Sequence, residues 1–466
     1  MVSNNSTLGD RAVVIGGSMA GLLTARVLSD FFDKVTIIER DRFPIEAPEP
    51  RKGVPQCRQL HILLTRGKQI MEELFPGLEA ELLDAGAAVL DMGGDVEWLN
   101  PFGWGMRFPS GFQALSFSRY ILDWLIHRRL SKIENIEIIE ASYAKRLLAS
   151  EDRTRVTGVV FRRREIENPE QTYQEEIPAQ LVIDASGYSS QAPKWLEAIG
   201  YDAPEETLIT TSMGYASRLY EIPRDFQEDW KGVYIQAAPP ERTSMGVLYP
   251  IENNRWIVGF CATAPNRPST DETDFLEALK NLPSSHIYKA VKDAKPATPI
   301  GIYHPPGNRL RHYERLSRQP QGFIALGDSV CSFTPIYGQG MTVAALGSLL
   351  LKECLQEVKG ADLSKLSAHF QKELAKINAG PWIAATSQDA KYPSVKGIEK
   401  PPSPIEKAIG WYMERLIFLT TKEPQVTLVL FDVFHMVKSS GALFQPRILF
   451  RVIREILSKK PEAFSR

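Results

Sequence analysis

The run Gly16, Gly17, Ser18, Met19, Ala20, Gly21 follows the apolar stretch Ala12–Ile15 and opens a segment with helical apolar spacing. Gly16 would make the sharp turn after a strand, and Gly21 would let helix and strand pack closely. Ser18 stands where the second glycine of a GxGxxG turn lets backbone approach a pyrophosphate, so one of the three glycines is replaced. Glu39 lies 18 residues beyond Gly21, at the end of the β-branched run KVTIIE, where an acid accepts hydrogen bonds from ribose hydroxyls; Arg40 follows it. Turn, helix, strand and acid in this order predict a dinucleotide cradle with helix amides facing the pyrophosphate.

A second constellation decides which dinucleotide. Gly327 and Asp328 end a predicted strand, and a loop carrying Pro335, Gly338 and Gly340 then opens a helix at Met341. Such a loop gives backbone amides access to a flat polar ring, and the Asp328 carboxylate can hold a polyol hydroxyl. Both features suit FAD better than a nicotinamide dinucleotide.

These motifs need an α/β frame. Arg11 to Glu39 reads strand, turn, helix, strand, with the helix over Ala20 to Phe32. Helical stretches are predicted near Leu60 to Leu74 and Ser118 to Leu130, and strands at Ile136 to Glu140, Val156 to Arg164 and Gln180 to Ala185. Tyr201 to Pro299 alternates like a sheet with little helix, and from about Gly380 the chain is mostly helical, with a Pro-rich break at KPPSPIEK. The predicted fold is a Rossmann-like FAD-binding domain with a glutathione-reductase-type βαβ unit, a sheet-based substrate domain and a helical C-terminal region. The FAD-binding domain takes residues 1–90, 113–195 and 296–379, the substrate domain 91–112 and 196–295, and the helical region 380–466.

Composition narrows the function. The 466 residues carry 55 basic and 56 acidic side chains, which leaves no broad positive field for nucleic acid. Cys57, Cys261, Cys331 and Cys354 are scattered without CxxC spacing, so neither a disulfide framework nor a zinc site is expected. The polar start followed by a short strand does not read as an export signal, and no apolar run reaches the roughly 18 residues of a spanning helix, so a cytoplasmic location is expected.

The chain resembles the class A flavoprotein monooxygenases, and within them the bacterial polyether-epoxidase-like group. Four stretches over about residues 11–375 carry the resemblance: VVIGGSMAGLLTARVL with IIERD, RKGVPQCRQLHILLTRG, VIDASGYSSQAPKWLEAIG, and GFIALGDSVCSFTPIYGQGMTVAA. The resemblance implies that Asp328 binds the FAD ribityl chain, that Pro335, Gly338, Gly340 and Met341 line the flavin ring, and that Arg119 approaches the phosphates and ribityl. It places Arg58 and His61 beside the flavin. Ser186 departs from the usual Asp-Gly form, within a pattern Asp184, Ala185, Ser186, Gly187 that the epoxidase-like relatives share.

With no second glycine-rich βαβ unit after Glu39, NAD(P)H is expected only as a transient reductant. The implied reaction reduces FAD with NAD(P)H, uses dioxygen, and inserts one oxygen atom, by epoxidation or hydroxylation, into a lipophilic secondary-metabolite substrate such as a terpenoid, polyene or indole. An alkene needs no protein base, whereas a phenol or indole calls for an acceptor, with Tyr337, His304 and His61 as candidates by type. Met92 to Phe112, dense in aromatic, Met and Gly residues, could line an apolar pocket, as could Met213, Gly214 and Tyr215.

Near the end, Arg447, Arg451 and Arg454 share one helical face, opposite Leu449, Val452, Ile453 and Ile456. That helix could dock on the core or touch a membrane peripherally. The alternatives are a flavin-dependent halogenase, whose WxWxIP motif is not found here, a reductase or dehydrogenase acting on isoprenoids, and a non-catalytic binder of the same fold. The oligomeric state is not specified by the sequence.

Overall fold

The computed structural model describes residues 7–164, 172–399 and 401–458. Its centre is a five-stranded, all-parallel sheet in the order Phe323–Ala325, Leu181–Asp184, Gly9–Ile15, Phe32–Ile38, Ile136–Ile139. Ala12, Val13 and Val14 are wholly buried because the sheet is covered by helices and by a three-stranded antiparallel sheet, Ser142–Ala149, Val156–Arg164 and Thr172–Pro178, whose Val159 and Phe161 join the same core, which is why these strands read as unbroken apolar runs. The helices Met19–Leu28, Gly340–Gln356 and Leu366–Asp389 pack in succession beside it. Parallel pairing sends four strands to the same edge. Gly16, Glu39, Ala185 and the Gly327–Asp328 turn therefore converge at their carboxyl ends, the usual ligand crevice of such sheets.

The expected helix over Ala20 to Phe32 closes at Leu28, because Phe32 opens the next strand and is buried in it. The helix expected from Leu60 begins at Thr65, after a 3₁₀ turn at Pro55–Arg58.

A seven-stranded sheet forms the second layer, in the order Gly301–Tyr303, Gly214–Glu221, Arg255–Ala262, Met245–Ile251, Gly232–Ile235, Val96–Asn100, Gly103–Trp104. Its two faces separate by strand alternation. Ala216, Leu248, Val258 and Phe260 meet the helices Glu272–Lys280 and His286–Val291 through Phe275, Leu279, Ile287 and Val291. These two helices correct the expectation of little helix in this segment. The other face presents Tyr215, Ser217, Met245, Val247 and Cys261 toward the crevice.

The edge expected at residue 380 falls inside the helix Leu366–Asp389, which runs through Pro381. Phe370, Leu374, Asn378, Ala385 and Asp389 recur on its buried side and carry it past the proline. Beyond it, Pro404–Leu419, Pro424–Phe434 and Pro446–Ser458 share a core of Leu416, Val426 and Ile448. Each opens with proline, whose missing N–H costs nothing in a first turn, and Ser403 with Glu406 completes a capping box.

This helical unit grips the aromatic segment. Asn100 Nδ2 donates to Thr420 Oγ1 at 3.0 Å, Met106 N donates to Thr420 O at 3.0 Å, and the Phe112 and His435 rings meet at 4.6 Å. Residues 92–112 are thus an interlayer seam, and none of them lines the crevice, which corrects the pocket expectation. Among the described residues no helix is long and apolar enough to cross a membrane.

Candidate functional site

The crevice is a single elongated cavity of about 610 Å³. One end lies over the glycine turn. Gly16 has φ +102°, and a Cβ there would stand 2.5 Å from Ala185 O, so only glycine can make this turn beside the neighbouring strand. A Cβ on Gly21 would be 1.8 Å from Gly16 O, which ties helix packing to the same turn. Ser18 is tolerated because its Oγ receives Arg119 Nη2 at 3.4 Å.

Glu39 is buried, with Oε1 accepting from Asp41 N at 2.8 Å and Oε2 accepting from Gly17 N. Arg51 supports it from behind, 3.7 Å from Oε1, donating to Gly17 O and lying over the Phe43 ring at 4.3 Å. Glu39 and Arg40 both line the cavity, as do Gly16, Gly17, Ser18, Met19 and Ala20, whereas Gly21, in the first turn of the helix Met19–Leu28, is buried and does not line it. Arg40 Nη2 donates to Gly53 O at 2.7 Å.

Arg119 is the first residue of its helix and is buried, not a surface arginine. Its Nε pairs with Asp123 Oδ1 at 2.9 Å, one turn on, which aims the remaining guanidinium edge at Ser18. Deeper in, Asp328 lines the cavity, and burial pushes its carboxyl up to about 6 against the opposing pull of Arg119 and Arg309. Gly338 (φ +62°) ends a 3₁₀ turn begun at Pro335, and the helix Gly340–Gln356 starts one residue earlier than expected. Pro335, Gly338, Gly340 and Met341 all line the cavity beside Asp328.

The far end carries a different chemistry. Tyr215, Met245, Val247, Cys261, Tyr303 and Ile336 form its wall, with Gln59, His61 and Ser217 as polar points. Gln59 is fixed by donating to Gly301 O at 3.0 Å and accepting from Ser217 Oγ at 2.9 Å. The His61 Nδ1 lies 2.9 Å from Gln59 O; burial, then Arg119, lowers the imidazole to about 4, so the ring is neutral and Nε2 is its acceptor. Burial, then the Asp328 carboxylate, raises the Tyr303 phenol to about 12.

Two expectations are corrected. Arg58 is exposed, because the turn Pro55–Arg58 aims Gln56 inward and Arg58 outward, and it does not line the cavity. His304 is exposed as well and lies outside the lining. The Tyr337 side chain lies outside the described residues. Gly187 lines the cavity, while Asp184 sits behind it, accepting from Ser186 Oγ and Ser190 Oγ; burial pushes its carboxyl up.

Sequence reasoning did not find the sheet residues Met245, Val247 and Cys261, whose only signal was strand alternation. It also missed the buried trio Asn308, Thr334 and Asp389, which lie far apart in sequence.

No protein-family profile matches the chain. Protein Rv3254 of Mycobacterium tuberculosis (strain ATCC 25618 / H37Rv) is 32% identical over 396 residues, covering 82% of this chain and 81% of that protein. The chain belongs to the family of Rv3254.

Solved structures share the architecture. The flavin-dependent brominase Bmp2 superposes with a TM-score of 0.66 at 14% identity, covering 96% of this chain and 99% of that one. A flavoprotein/dehydrogenase from Cytophaga hutchinsonii gives 0.65 at 15%, covering 96% and 98%. PqsL of Pseudomonas aeruginosa, a probable FAD-dependent monooxygenase, gives 0.59 at 15%, covering 91% and 100%. At these identities the likeness establishes the fold: this Rv3254 relative has the Rossmann-like α/β fold of flavoproteins.

Proposed function

We propose that the protein is an FAD-dependent oxidoreductase that takes hydride from NAD(P)H and, with dioxygen, oxygenates a lipophilic substrate. The observation that carries this reading is the continuity of one cavity from Glu39 and the glycine turn, past Asp328, to a wall without charged side chains. The donor set fits FAD along its length: an acid for the adenosine ribose, turn amides and Arg119 for the pyrophosphate, Asp328 for the ribityl chain, and the Pro335–Gly340 loop for the ring. When bound, FAD supplies the redox and oxygen-activating chemistry.

The chain's own residues then orient and exclude. Tyr215, Met245, Val247 and Ile336 favour apolar surface and keep water from the reacting end. The charged lining residues, Glu39, Arg40, Arg119 and Asp328, are all assigned to the cofactor, so a substrate carboxylate would find no charged partner among the far wall's own side chains. A neutral terpenoid, polyene or aromatic substrate follows, and the neutral His61 ring offers an acceptor for a hydroxyl or N–H. Epoxidation, as in the polyether-epoxidase-like group, and hydroxylation both fit this wall.

Halogenation is the second reading, favoured by the likeness to the brominase Bmp2 and to the chondrochloren halogenase CndH. Turnover with NADPH, labelled dioxygen and bromide over a panel of alkenes and phenols separates the readings. A product heavier by one labelled oxygen supports oxygenation, a brominated product supports halogenation, and a saturated product without oxygen supports the reductase alternative.

A further inference from the structure

The helix Pro446–Ser458 is apolar on two opposite sides. Ile448 and Val452 are buried in the core of the C-terminal unit, while Phe450, Ile453 and Leu457 are 63%, 51% and 79% exposed. At about 100° per residue, those three fall within an arc of roughly 60°, nearly opposite the buried pair. A helix that only docks on a core has no use for a second apolar stripe. More than half of the exposed large hydrophobic side chains among the described residues lie between residues 398 and 457, in and around the C-terminal helices. Concentrated exposed apolar surface of this kind marks an interaction site.

The charges around the stripe say what covers it. Arg447, Arg451 and Arg454 run along one flank, and Arg451 and Arg454 converge on Glu423 beneath them. That pairing holds the two guanidinium groups beside the stripe and neutralises the nearest acid. The helix's own acid, Glu455, is buried on the inward side, so the outward face carries cations and no anion. The sequence continues with Lys459 and Lys460. Two-fold pairing with a second copy would bring these cations together in one interface, whereas an anionic surface matches them.

We propose that this helix lies flat on an anionic lipid surface, with Phe450, Ile453 and Leu457 entering the acyl boundary and Arg447 and Arg454 meeting headgroup phosphates. Its 13 residues are too few for a bilayer span of about 20, and an apolar face edged by arginines suits an in-plane helix. The inference does not depend on which reaction the cavity performs.

The test is co-sedimentation of the full-length protein with vesicles of phosphatidylcholine alone and of phosphatidylcholine with about one-third phosphatidylglycerol, at low and high salt. The expected result is binding to the anionic vesicles that weakens in salt, falls about tenfold or more in Phe450→Ser/Leu457→Ser, and loses its anionic preference in Arg447→Glu. Thermal melting of these variants should match the parent, because all three side chains are exposed. Absence of vesicle binding overturns the proposal, as does binding that the variants do not change. A concentration-dependent dimer in light scattering that the double variant abolishes also overturns it, in favour of a second copy.

Discussion

Thr334 donates a hydrogen bond to Asp389 Oδ2 at 3.1 Å, which ties the end of the helix Leu366–Asp389 to the residue just before Pro335. Asn308 closes the ring, donating from Nδ2 to the same oxygen at 2.6 Å and accepting from Thr334 N at 2.7 Å. Asp389 Oδ1 is buried with no partner, and burial raises the carboxyl above its ordinary range. This buried ring fixes where the loop Pro335–Gly340 leaves the short strand Cys331–Ser332, and with it the proposed flavin contact.

Asp389→Ala should therefore cost about 1–3 kcal/mol, since Asn308 and Thr334 lose their acceptor, and should weaken flavin retention. The folded carboxyl keeps its proton to higher pH than an unfolded aspartate, so its contribution to stability falls as pH rises above the ordinary aspartate value. Asp389→Asn cannot ionise and should melt at or above the parent temperature at pH 7. Calorimetry of the two variants checks both signs; a large loss in Asp389→Asn would contradict the account.

Arg119→Ala leaves Asp123 buried and unpaired, which should cost about 3–5 kcal/mol. Arg119→Ala/Asp123→Ala should recover much of that stability, yet still bind FAD roughly 10–100-fold more weakly because a charged donor is gone. Denaturant unfolding and flavin titration separate the two roles, and full affinity in the double variant would remove Arg119 from the cofactor site.

Gly21→Ala should destabilise by at least about 1–3 kcal/mol through overpacking, because its Cβ would overlap Gly16 O. Ser18→Ala adds no atoms and removes only the long hydrogen bond from Arg119, so it should cost about 0.5–1.5 kcal/mol at most. Urea unfolding of the pair measures how rigid the turn is.

His61, His127 and His435 are all held near 4, chiefly by burial. Each binds a proton more readily in the unfolded chain, so stability is full above the ordinary histidine range and is lost as pH falls from about 6.5 toward 4. His435 couples this to architecture, because its Nδ1 lies 3.0 Å from Thr65 Oγ1 and joins the C-terminal unit to the helix Thr65–Leu74. His435→Gln should flatten the acid limb of a Tm against pH curve; an unchanged limb would place the proton uptake elsewhere.

Residues whose placement is set by local backbone were legible in the sequence. Gly16, Gly21, Glu39 and the Asp328 loop sit at fixed offsets from strands, and parallel pairing brings those offsets together. Arg58 misled because the 3₁₀ turn Pro55–Arg58 buries Cys57 and leaves Arg58 exposed, which residue type alone does not reveal. The segment 92–112 misled because an aromatic-rich stretch packs equally well on a helical unit as on a ligand. Asn308, Thr334 and Asp389 were illegible because three elements distant in the chain must fold before they meet.

The central claim is that the cavity is an FAD site opening onto a neutral substrate wall. Its most direct test is the visible spectrum of the purified protein titrated with FAD, then reduced with NADPH and exposed to air, with Asp328→Ala alongside. The account predicts stoichiometric binding with a perturbed flavin spectrum, bleaching and reoxidation, and affinity in Asp328→Ala lower by roughly tenfold or more. An unperturbed flavin spectrum, or equal affinity in Asp328→Ala, would contradict it.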